Sequence, residues 1–263
     1  MPRWAAASPT IIPLLLLVAT LLGVRTAGAA SRPAFTIPAK ETLTYSVEWR
    51  LIHAGNLRLE WERTTDSATP RYQAKLSLES VGLVSRLFKV QDLYTSQMVG
   101  PMCAVSSQLT AREGSRHRET AVTFDYARGK ASSLEKDLKK NTVAGMQEVD
   151  IPACVHDIIG ALYRLRTLRL DPGQQAQVPV SDGKKSMLAR GEAQEREEIR
   201  TPAGVFKTIR YEAFVFNDVL YRRKGRLFVW ITDDARRLPV QIRVRMQLHI
   251  GTVTLQLDKE EKP

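Results

Sequence analysis

The chain has 263 residues, of which 43% are hydrophobic, 25% charged and 7% aromatic. This balance excludes a polar disordered chain and a membrane protein with many apolar helices. Lysine and arginine together number 39, against 28 aspartate and glutamate residues. The first 30 residues contain two of the basic residues, Arg3 and Arg25, and no acidic residue. The excess positive charge therefore belongs to the part of the chain that should fold.

The N-terminus has the pattern of a secretory signal peptide. Arg3 precedes the apolar run Ile11–Val24, and Ala27–Ala29 supplies the small side chains that signal peptidase requires. The run has about 14 residues, fewer than the roughly 20 that a membrane-spanning helix needs, so a retained anchor is only the alternative. We predict a cleaved signal peptide at residues 1–30 and a single β-rich domain at residues 31–263. The mature chain is then periplasmic or otherwise exported, with peripheral membrane contact as an option.

The alternation of apolar and polar residues predicts mainly antiparallel strands. It is clearest from Leu43 to Trp49 and, after a predicted turn at Ala54–Asn56, from Leu57 to Trp61. Asp157–Leu168 has helical spacing, and Asp157 is placed to cap its first turn. Charge density rises and periodicity fades over Lys136–Thr142, which predicts an exposed loop or linker between two groups of strands. The alternation returns at Tyr72–Leu78, Val105–Leu109, Val122–Tyr126, Ile209–Val215, Leu227–Ile231, Val240–Leu248 and Val253–Leu257.

About ten half-apolar strands and one helix pose a burial problem, because one helix covers only a small part of such a sheet. We therefore predict a mainly β fold: a single antiparallel, strongly curved sheet that forms a barrel or open clam, with one helix. A two-sheet β-sandwich is the alternative. The difference matters for function, because a wide barrel tends to enclose a ligand cavity whereas a sandwich fills its own core.

The only two cysteines, Cys103 and Cys154, both lie in the predicted mature chain. An exported protein meets an oxidising compartment, where two thiols tend to pair, so we predict one disulfide. Two unpaired buried thiols are the alternative. Two sulfurs alone make a poor zinc site, and neither cysteine stands in a nucleophile motif.

Several strings of the sequence, in their order and spacing, are together similar to a known family. They are Tyr45–Leu59 with its Ala54-Gly55 pair, GLVSRLFKVQD at Gly82–Asp92, Asp157–Arg166, TPAGVF at Thr201–Phe206 and WITDDARRLPV at Trp230–Val240. They resemble the exported bacterial family DUF3108, a domain of unknown function, from about residue 36 to 258. The resemblance implies an exported, largely β protein of Gram-negative-type bacteria. It implies no established activity, and no string is a catalytic fingerprint.

Familiar catalytic motifs are missing from the sequence. There is no G-x-S-x-G string, no Walker-type loop and no G-x-G-x-x-G, and the histidines are not spaced as a helical metal pair. We predict no catalytic residue, no metal and no cofactor, and favour a non-enzymatic protein. The polar site candidates, which could instead cap turns and pair with arginine, are Asp92, Asp157, Asp233, Asp234 and Arg236. A hydrolase of envelope polymers would need at least two of these carboxylates in one cleft.

Large apolar side chains are the candidates for a hydrophobic ligand site. Gly82–Phe88 is apolar without strict alternation, which predicts a short helix or a flap over the end of the sheet, with a core plug as the alternative. Leu227–Ile231 is apolar on both faces, so its second face needs a cover, and the helix from Asp157 is one option. The predicted ligand-binding residues are Trp49, Trp61, Leu83, Leu87, Phe88 and Trp230.

These features lead to a ranked set of functions. The leading hypothesis is a periplasmic or envelope protein that binds a lipid-like hydrophobic or amphiphilic ligand and serves outer-membrane or envelope maintenance. A structural or adaptor protein that docks on an envelope protein is the alternative. Clusters of basic residues would draw an exported protein to an anionic membrane surface rather than to nucleic acid, or would form a solvated face. The sequence does not determine the oligomeric state.

Overall fold

The computed structural model describes residues 35–64, 69–222, 224–246 and 251–261. The predicted signal peptide lies outside them. Before the longer helix, the strands are β1 (Lys40–Trp49), β2 (Ile52–Thr64), β3 (Arg71–Ser80), β4 (Val90–Val99), β5 (Cys103–Glu113), β6 (Arg116–Asp125), β7 (Lys130–Asp137) and β8 (Thr142–Asp150). After it come β9 (Gln175–Ser181), β10 (Ser186–Thr201), β11 (Gly204–Phe214), β12 (Gly225–Thr232), β13 (Pro239–Met246) and β14 (Thr252–Glu261). The helices are α1 (Gly82–Leu87) and α2 (Ile158–Thr167).

All of these strands belong to one antiparallel sheet of 14 strands, in the order β8-β7-β6-β5-β4-β3-β2-β1-β14-β13-β12-β11-β10-β9. Consecutive hairpins build each half, and the halves join where β1 pairs with β14, with Tyr45 opposite Leu257. The edge strands β8 and β9 flank α2 in the chain. The prediction of a mainly β fold with one antiparallel sheet is confirmed, with more strands than expected. The sheet is not closed, and a two-sheet sandwich is excluded.

A connector at residues 151–157, between β8 and α2, reaches both halves of the sheet. The amide of Ala104 donates to the carbonyl of Val155 at 2.8 Å, and the amide of Ser181 donates to the carbonyl of His156 at 2.9 Å. The predicted disulfide is confirmed: Cys103 at the start of β5 is bonded to Cys154 in the connector. The connector is therefore held to β5 on one side and to β9 on the other.

The inner face of the sheet packs on α2. Ile159 and Tyr163 belong to the largest cluster of buried apolar residues, and Leu165 packs in a second cluster with inner residues of β10 to β12. The ring of Trp61 stacks on Tyr163 with the centroids 3.7 Å apart. Asp157 caps the helix as predicted, because its Oδ1 accepts from the amide of Gly160 at 2.7 Å.

A buried ion pair holds the C-terminal end of α2 against β1. Arg166 Nη1 lies 2.6 Å from Glu41 Oε2, and Arg166 Nη2 donates to Glu41 Oε1 at 2.9 Å. Tyr163 donates its hydroxyl to Glu41 Oε2 at 2.8 Å. From the turn after β12, Arg237 Nη2 donates to the carbonyl of Leu168 at 2.7 Å, which fixes the same end of the helix.

The predicted turn at Ala54–Asn56 is wrong. The turn lies at Arg50 and Leu51, which have positive φ angles of 49° and 69°, as the tight turn of a hairpin requires. Gly55 lies within β2, where a Cβ atom would come 2.4 Å from the carbonyl oxygen of Glu79. This glycine serves the close approach of β3 rather than a turn.

The predicted linker at Lys136–Thr142 is also corrected. Its residues end β7, form a hairpin turn and begin β8. Asp137 Oδ1 accepts from the amides of Lys139 and Lys140 at 3.0 and 3.1 Å, which closes the turn. The edge strand β8 is largely exposed and has no apolar face, so its sequence lacks the alternation that reveals a strand. The link between the two halves of the sheet runs through the connector and α2 instead.

Arginine side chains, and not α2, cover the second apolar face of β12. Val229 and Ile231 face inward and pack in the cluster that contains Leu165 of α2. Phe228 and Trp230 lie on the outer face. There the guanidinium of Arg226 lies 4.7 Å from the ring centroid of Phe228, and that of Arg243 lies 5.0 Å from the ring of Trp230. Stacked guanidinium groups therefore shield these rings from water.

Candidate functional site

An apolar cavity of about 340 Å³ lies between α2 and the inner face of the sheet. Its walls come from α2, from β1 to β3 and from β9 to β14. Arg190 is the one charged residue among those that line it in the described structure. A cavity of this size and character is typical of a small-molecule site. Residues from each wall include Ile159, Leu162, Leu59, Val178, Val229 and Leu255.

Small residues leave this space open. Ala161 of α2, Ala189 and Gly191 of β10 and Ala213 of β11 all line the cavity. A Cβ atom on Gly191 would lie 3.8 Å from Leu165 Cδ1, an ordinary contact, so this position would accept a larger side chain. Leucine or valine at these positions would fill the cavity, since well-packed cores leave few voids larger than a water molecule.

A second cavity, of about 300 Å³, adjoins the first and has a more polar lining. It lies between β4 to β6 on one side and the end of β9 with the following turn on the other. Its polar groups come from Tyr94, Ser107, Thr120, Ser181, Asp182, Lys184 and Tyr221. The two cavities share five lining residues, namely Ile158, Ala161, Val180, Val215 and Tyr221. The first cavity is therefore almost wholly apolar, while the second, called the polar cavity below, combines an aliphatic lining with several polar side chains.

Asp157 lies buried between Ser96 and α2. Ser96 donates its hydroxyl to Asp157 Oδ2, while Asp157 Oδ1 accepts from the amide of Gly160. Burial raises the pKa of Asp157 above its ordinary value, and the hydrogen bonds from Ser96, Gly160 and Tyr94 oppose that shift. The carboxylate has the contacts of a helix cap and faces no second carboxylate among these partners.

We expect Asp157→Asn to keep the cap and to change how stability depends on pH. Because burial raises the pKa of Asp157, the folded state binds a proton more tightly than the unfolded state does. Wild-type stability should therefore fall, relative to the variant, as pH rises from about 4 through the raised pKa. Urea unfolding of both proteins at several pH values measures this gap. Asp125→Asn, at the end of β6 where Oδ1 accepts from the amide of Arg128, is the control for the loss of a carboxylate that receives a backbone hydrogen bond. A gap that stays constant with pH would contradict the assignment.

The structure places the three predicted tryptophans outside both cavities. Trp61 is buried in the core, where its Nε1 donates to the carbonyl of Pro38 at 3.2 Å. Trp230 donates its Nε1 to Glu197 Oε1 at 2.7 Å on the outer face. Trp49 ends β1, and the guanidinium of Arg50 lies 5.3 Å from its ring centroid. These rings pack the core or cover the outer face.

The predicted flap residues are also outside the cavities. The segment forms the short helix α1, and Leu83, Leu87 and Phe88 are 62%, 75% and 53% exposed. Phe88 lies against Gly114 in the turn between β5 and β6, where a Cβ atom would come 2.8 Å from its ring. The segment is thus a surface helix at the strand ends, neither a core plug nor a cover for either cavity.

The acidic candidates do not share a cleft. Asp234 Oδ1 accepts from the hydroxyl of Thr232 and the amide of Arg236, and so closes the turn between β12 and β13. That turn lies at the C-terminal end of α2, whereas Asp157 lies at the N-terminal end, about 15 Å away along a ten-residue helix. The remaining candidates have partners of their own: Asp233 with Arg196, Asp92 with the amide of Arg112, and Arg236 with Asp234 and Glu260.

Sequence reasoning missed the cavity because it favoured large aromatic side chains. The lining consists mostly of aliphatic and small residues, which look like ordinary core positions. A usable signal was present in β10, where Ala189, Gly191 and Ala193 alternate with polar residues. An inward strand face made of small residues must either meet a closely packed neighbour or leave space.

The family model described as a protein of unknown function, DUF3108, matches residues 44–258. The chain belongs to the DUF3108 family. A comparison of the DUF3108 chain with curated proteins gave no match. Within its described residues, no helix is long and apolar enough to cross a membrane. That same part of the chain holds no group of three His, Cys, Asp or Glu residues that could bind a metal ion.

Solved structures resemble this DUF3108 protein at low sequence identity. A β-barrel-like protein of the domain of unknown function DUF1849 from Brucella abortus is 7% identical, with a TM-score of 0.45, and the match covers 85% of this chain and 97% of that one. A protein from Bacteroides fragilis that is described as exported and has a YmcC-like fold is 8% identical, with a TM-score of 0.36, over 88% and 100% of the two chains. A protein from Parabacteroides distasonis that is described as a lipoprotein is 8% identical, with a TM-score of 0.34, over 86% of this chain and 97% of that one.

Proposed function

We propose that this DUF3108 protein is an exported, non-enzymatic binding protein that holds a hydrophobic or amphiphilic small molecule and serves the outer membrane or envelope. The apolar cavity of about 340 Å³ beside α2 is the observation that supports this proposal. Export is supported by the signal-like N-terminus and by the Cys103–Cys154 disulfide, a bond typical of oxidising compartments.

The lining of the cavity favours an aliphatic ligand. Its walls offer almost no hydrogen-bonding groups, so a polar molecule would lose its contacts with water and gain few in return. Each methylene group buried there would contribute about 0.8 kcal/mol. A chain of several methylene groups therefore offsets the entropy lost on binding, whereas a compact polar metabolite would not.

Native mass spectrometry of the mature chain tests the proposal directly. The protein would be purified from a periplasmic extract without detergent, and bound molecules would be extracted into organic solvent and identified. We expect a stoichiometric apolar or amphiphilic molecule to accompany the chain. Purification as a ligand-free chain, together with no binding of added lipids, would contradict the proposal.

A single substitution in the shared wall provides a second test. Ala161 lines both cavities, so Ala161→Leu places a larger side chain where the ligand would pass while keeping a good helix former. We expect binding of the uncharged fluorescent probe 1-N-phenylnaphthylamine to weaken about tenfold or more, which corresponds to a loss of about 1.4 kcal/mol. Ala127→Leu, in an exposed turn, is the matched control and should bind as the wild type does. Equal binding by both variants would argue against this cavity as the site.

A further inference from the structure

The polar cavity ends where the turn between β9 and β10 packs against strands of the other half of the sheet. The turn between β9 and β10 reaches β6 and β7 so closely that a Cβ atom on Gly183 would come 2.5 Å from Val122 Cγ1. Beside it, Lys184 Nζ donates to Glu135 Oε2 at 2.7 Å. One ion pair therefore joins the two halves at the rim of the polar cavity. The hydrogen bond from Lys184 also lowers the pKa of Glu135 below its ordinary value.

Three basic side chains take part in an ion-pair cluster at this rim. Arg116 Nη2 lies 3.6 Å from Glu135 Oε1, and Arg118 Nη2 lies 3.4 Å from Asp137 Oδ2. With Lys184, three cations thus surround two carboxylates. Asp182 also lines the cavity and is a third carboxylate at this rim, and its Oδ1 accepts from the amides of Lys184 and Lys185, which closes the turn.

Arg118 has a buried donor that no described residue satisfies. Among the described residues, no acceptor forms a hydrogen bond with its Nε, and Glu135 Oε1 lies 3.8 Å away. A buried donor without a partner is costly and rare in folded proteins. Arg118 and Thr120 are two residues apart in β6, so their side chains lie on the same face, and Thr120 lines the polar cavity. Arg118 is not itself among the residues that line the cavity, so its side chain must turn toward the cavity for an anion there to supply the missing acceptor.

Apolar surface leads from this rim to the interior. Ile158 lines both cavities and remains 42% exposed, although it belongs to the helix that packs on the inner face. Val180 and Val215 also line both cavities. A molecule that extends from one cavity into the other would therefore cover aliphatic surface along its path.

We propose that the ligand is a single-chain amphiphile with an anionic headgroup, a carboxylate or a phosphate. This inference rests on the proposed function. The chain lies in the apolar cavity, and the headgroup lies in the polar cavity, where it pairs with Lys184 and accepts a hydrogen bond from Arg118 Nε. Cavities of about 340 and 300 Å³ are at the small end for ligand sites, which favours one acyl chain over two.

Competition between headgroups on one chain tests this inference. Oleate, oleyl phosphate and oleyl alcohol would each be used to displace 1-N-phenylnaphthylamine from the mature protein. We expect at least one of the two anions to bind about tenfold or more tightly than the alcohol, because the anions gain charge-assisted hydrogen bonds. The tighter of the two anions identifies the headgroup as a carboxylate or a phosphate. Equal competition by all three compounds would overturn the headgroup assignment and leave the cavity proposal intact. If neither the probe nor any of the compounds binds, the proposed function itself fails.

Substitutions of the two basic residues test where the headgroup binds. We expect Lys184→Gln and Arg118→Gln each to reduce the preference for the anion about tenfold while oleyl alcohol binds as before. Lys75→Gln removes a comparable surface cation, paired with Glu60 and absent from the lining of both cavities, and should change nothing. Thermal melts followed by circular dichroism would confirm that the variants fold. If Arg118→Gln does not fold, the result for Lys184→Gln alone tests the position of the headgroup. An anion preference that survives in the folded variants would refute the assigned site.

Discussion

Replacing Arg166 with methionine is expected to lower the free energy of unfolding by about 3–5 kcal/mol. Arg166 is 1% exposed and its partner Glu41 is 6% exposed. Arg166→Met would leave the carboxylate of Glu41 buried with only the hydroxyl of Tyr163 as a hydrogen-bond partner among its described contacts. An uncompensated buried charge is among the largest penalties that one substitution can cause. The end of α2 would also lose its link to the carbonyl of Arg237.

Urea unfolding followed by tryptophan fluorescence measures this effect. The double variant Arg166→Met with Glu41→Gln removes both charges and should recover part of the loss. Arg128→Met breaks an exposed pair with Glu148 and is the matched control, with an expected cost below about 1 kcal/mol. If Arg166→Met and Arg128→Met cost the same, the buried pair does not anchor α2.

Loss of the disulfide should lower the free energy of unfolding by about as much as Arg166→Met does. The double substitution of Cys103 and Cys154 by serine removes a cross-link between residues 51 positions apart. Loop-closure entropy for a loop of this length predicts a loss of about 4 kcal/mol in the free energy of unfolding. The connector adds a local contribution, because it also holds Asp157, the cap of α2.

Reduction of the wild-type protein measures the contribution of the disulfide to the free energy of unfolding independently. Unfolding curves with and without dithiothreitol should differ by about the same 4 kcal/mol. The serine double variant should unfold identically in both conditions, which controls for other effects of the reductant. A wild-type protein that is equally stable when reduced would show that hydrogen bonds alone hold the connector in place.

Features with a local physical cause were predictable. Strands with one solvent-exposed face, such as β1 and β2, have a visible alternation of apolar and polar residues. The sequence of α2 has helical spacing of apolar residues, with a capping aspartate before it. The pairing of the cysteines followed from the predicted export to an oxidising compartment and from the presence of only two cysteines in the sequence. Other strands escaped notice because their inward faces lack a row of large apolar side chains. The edge strand β8 is exposed on most of its length, and β10 combines small inward residues with charged outward ones.

Errors arose where one residue type serves two purposes. Gly55 suggested a turn because glycine tolerates positive φ angles, yet its role is to let β3 approach closely. The tryptophans suggested ligand contacts because they are large and apolar, yet they pack the core and the outer face. Local sequence does not show which neighbour a side chain meets.

The sequence by itself therefore determined the β class, the capped helix, the disulfide partners and the family. The tertiary structure alone decided the candidate site. The cavity is a space between α2 and strands from both halves of the sheet, and no local pattern encodes an unfilled volume. The rim depends on Lys184 meeting Glu135 across 49 positions, and the anchor of α2 depends on Arg166 meeting Glu41 across 125. Such pairs form only when the sheet curls around the helix, because that curvature brings the distant segments together.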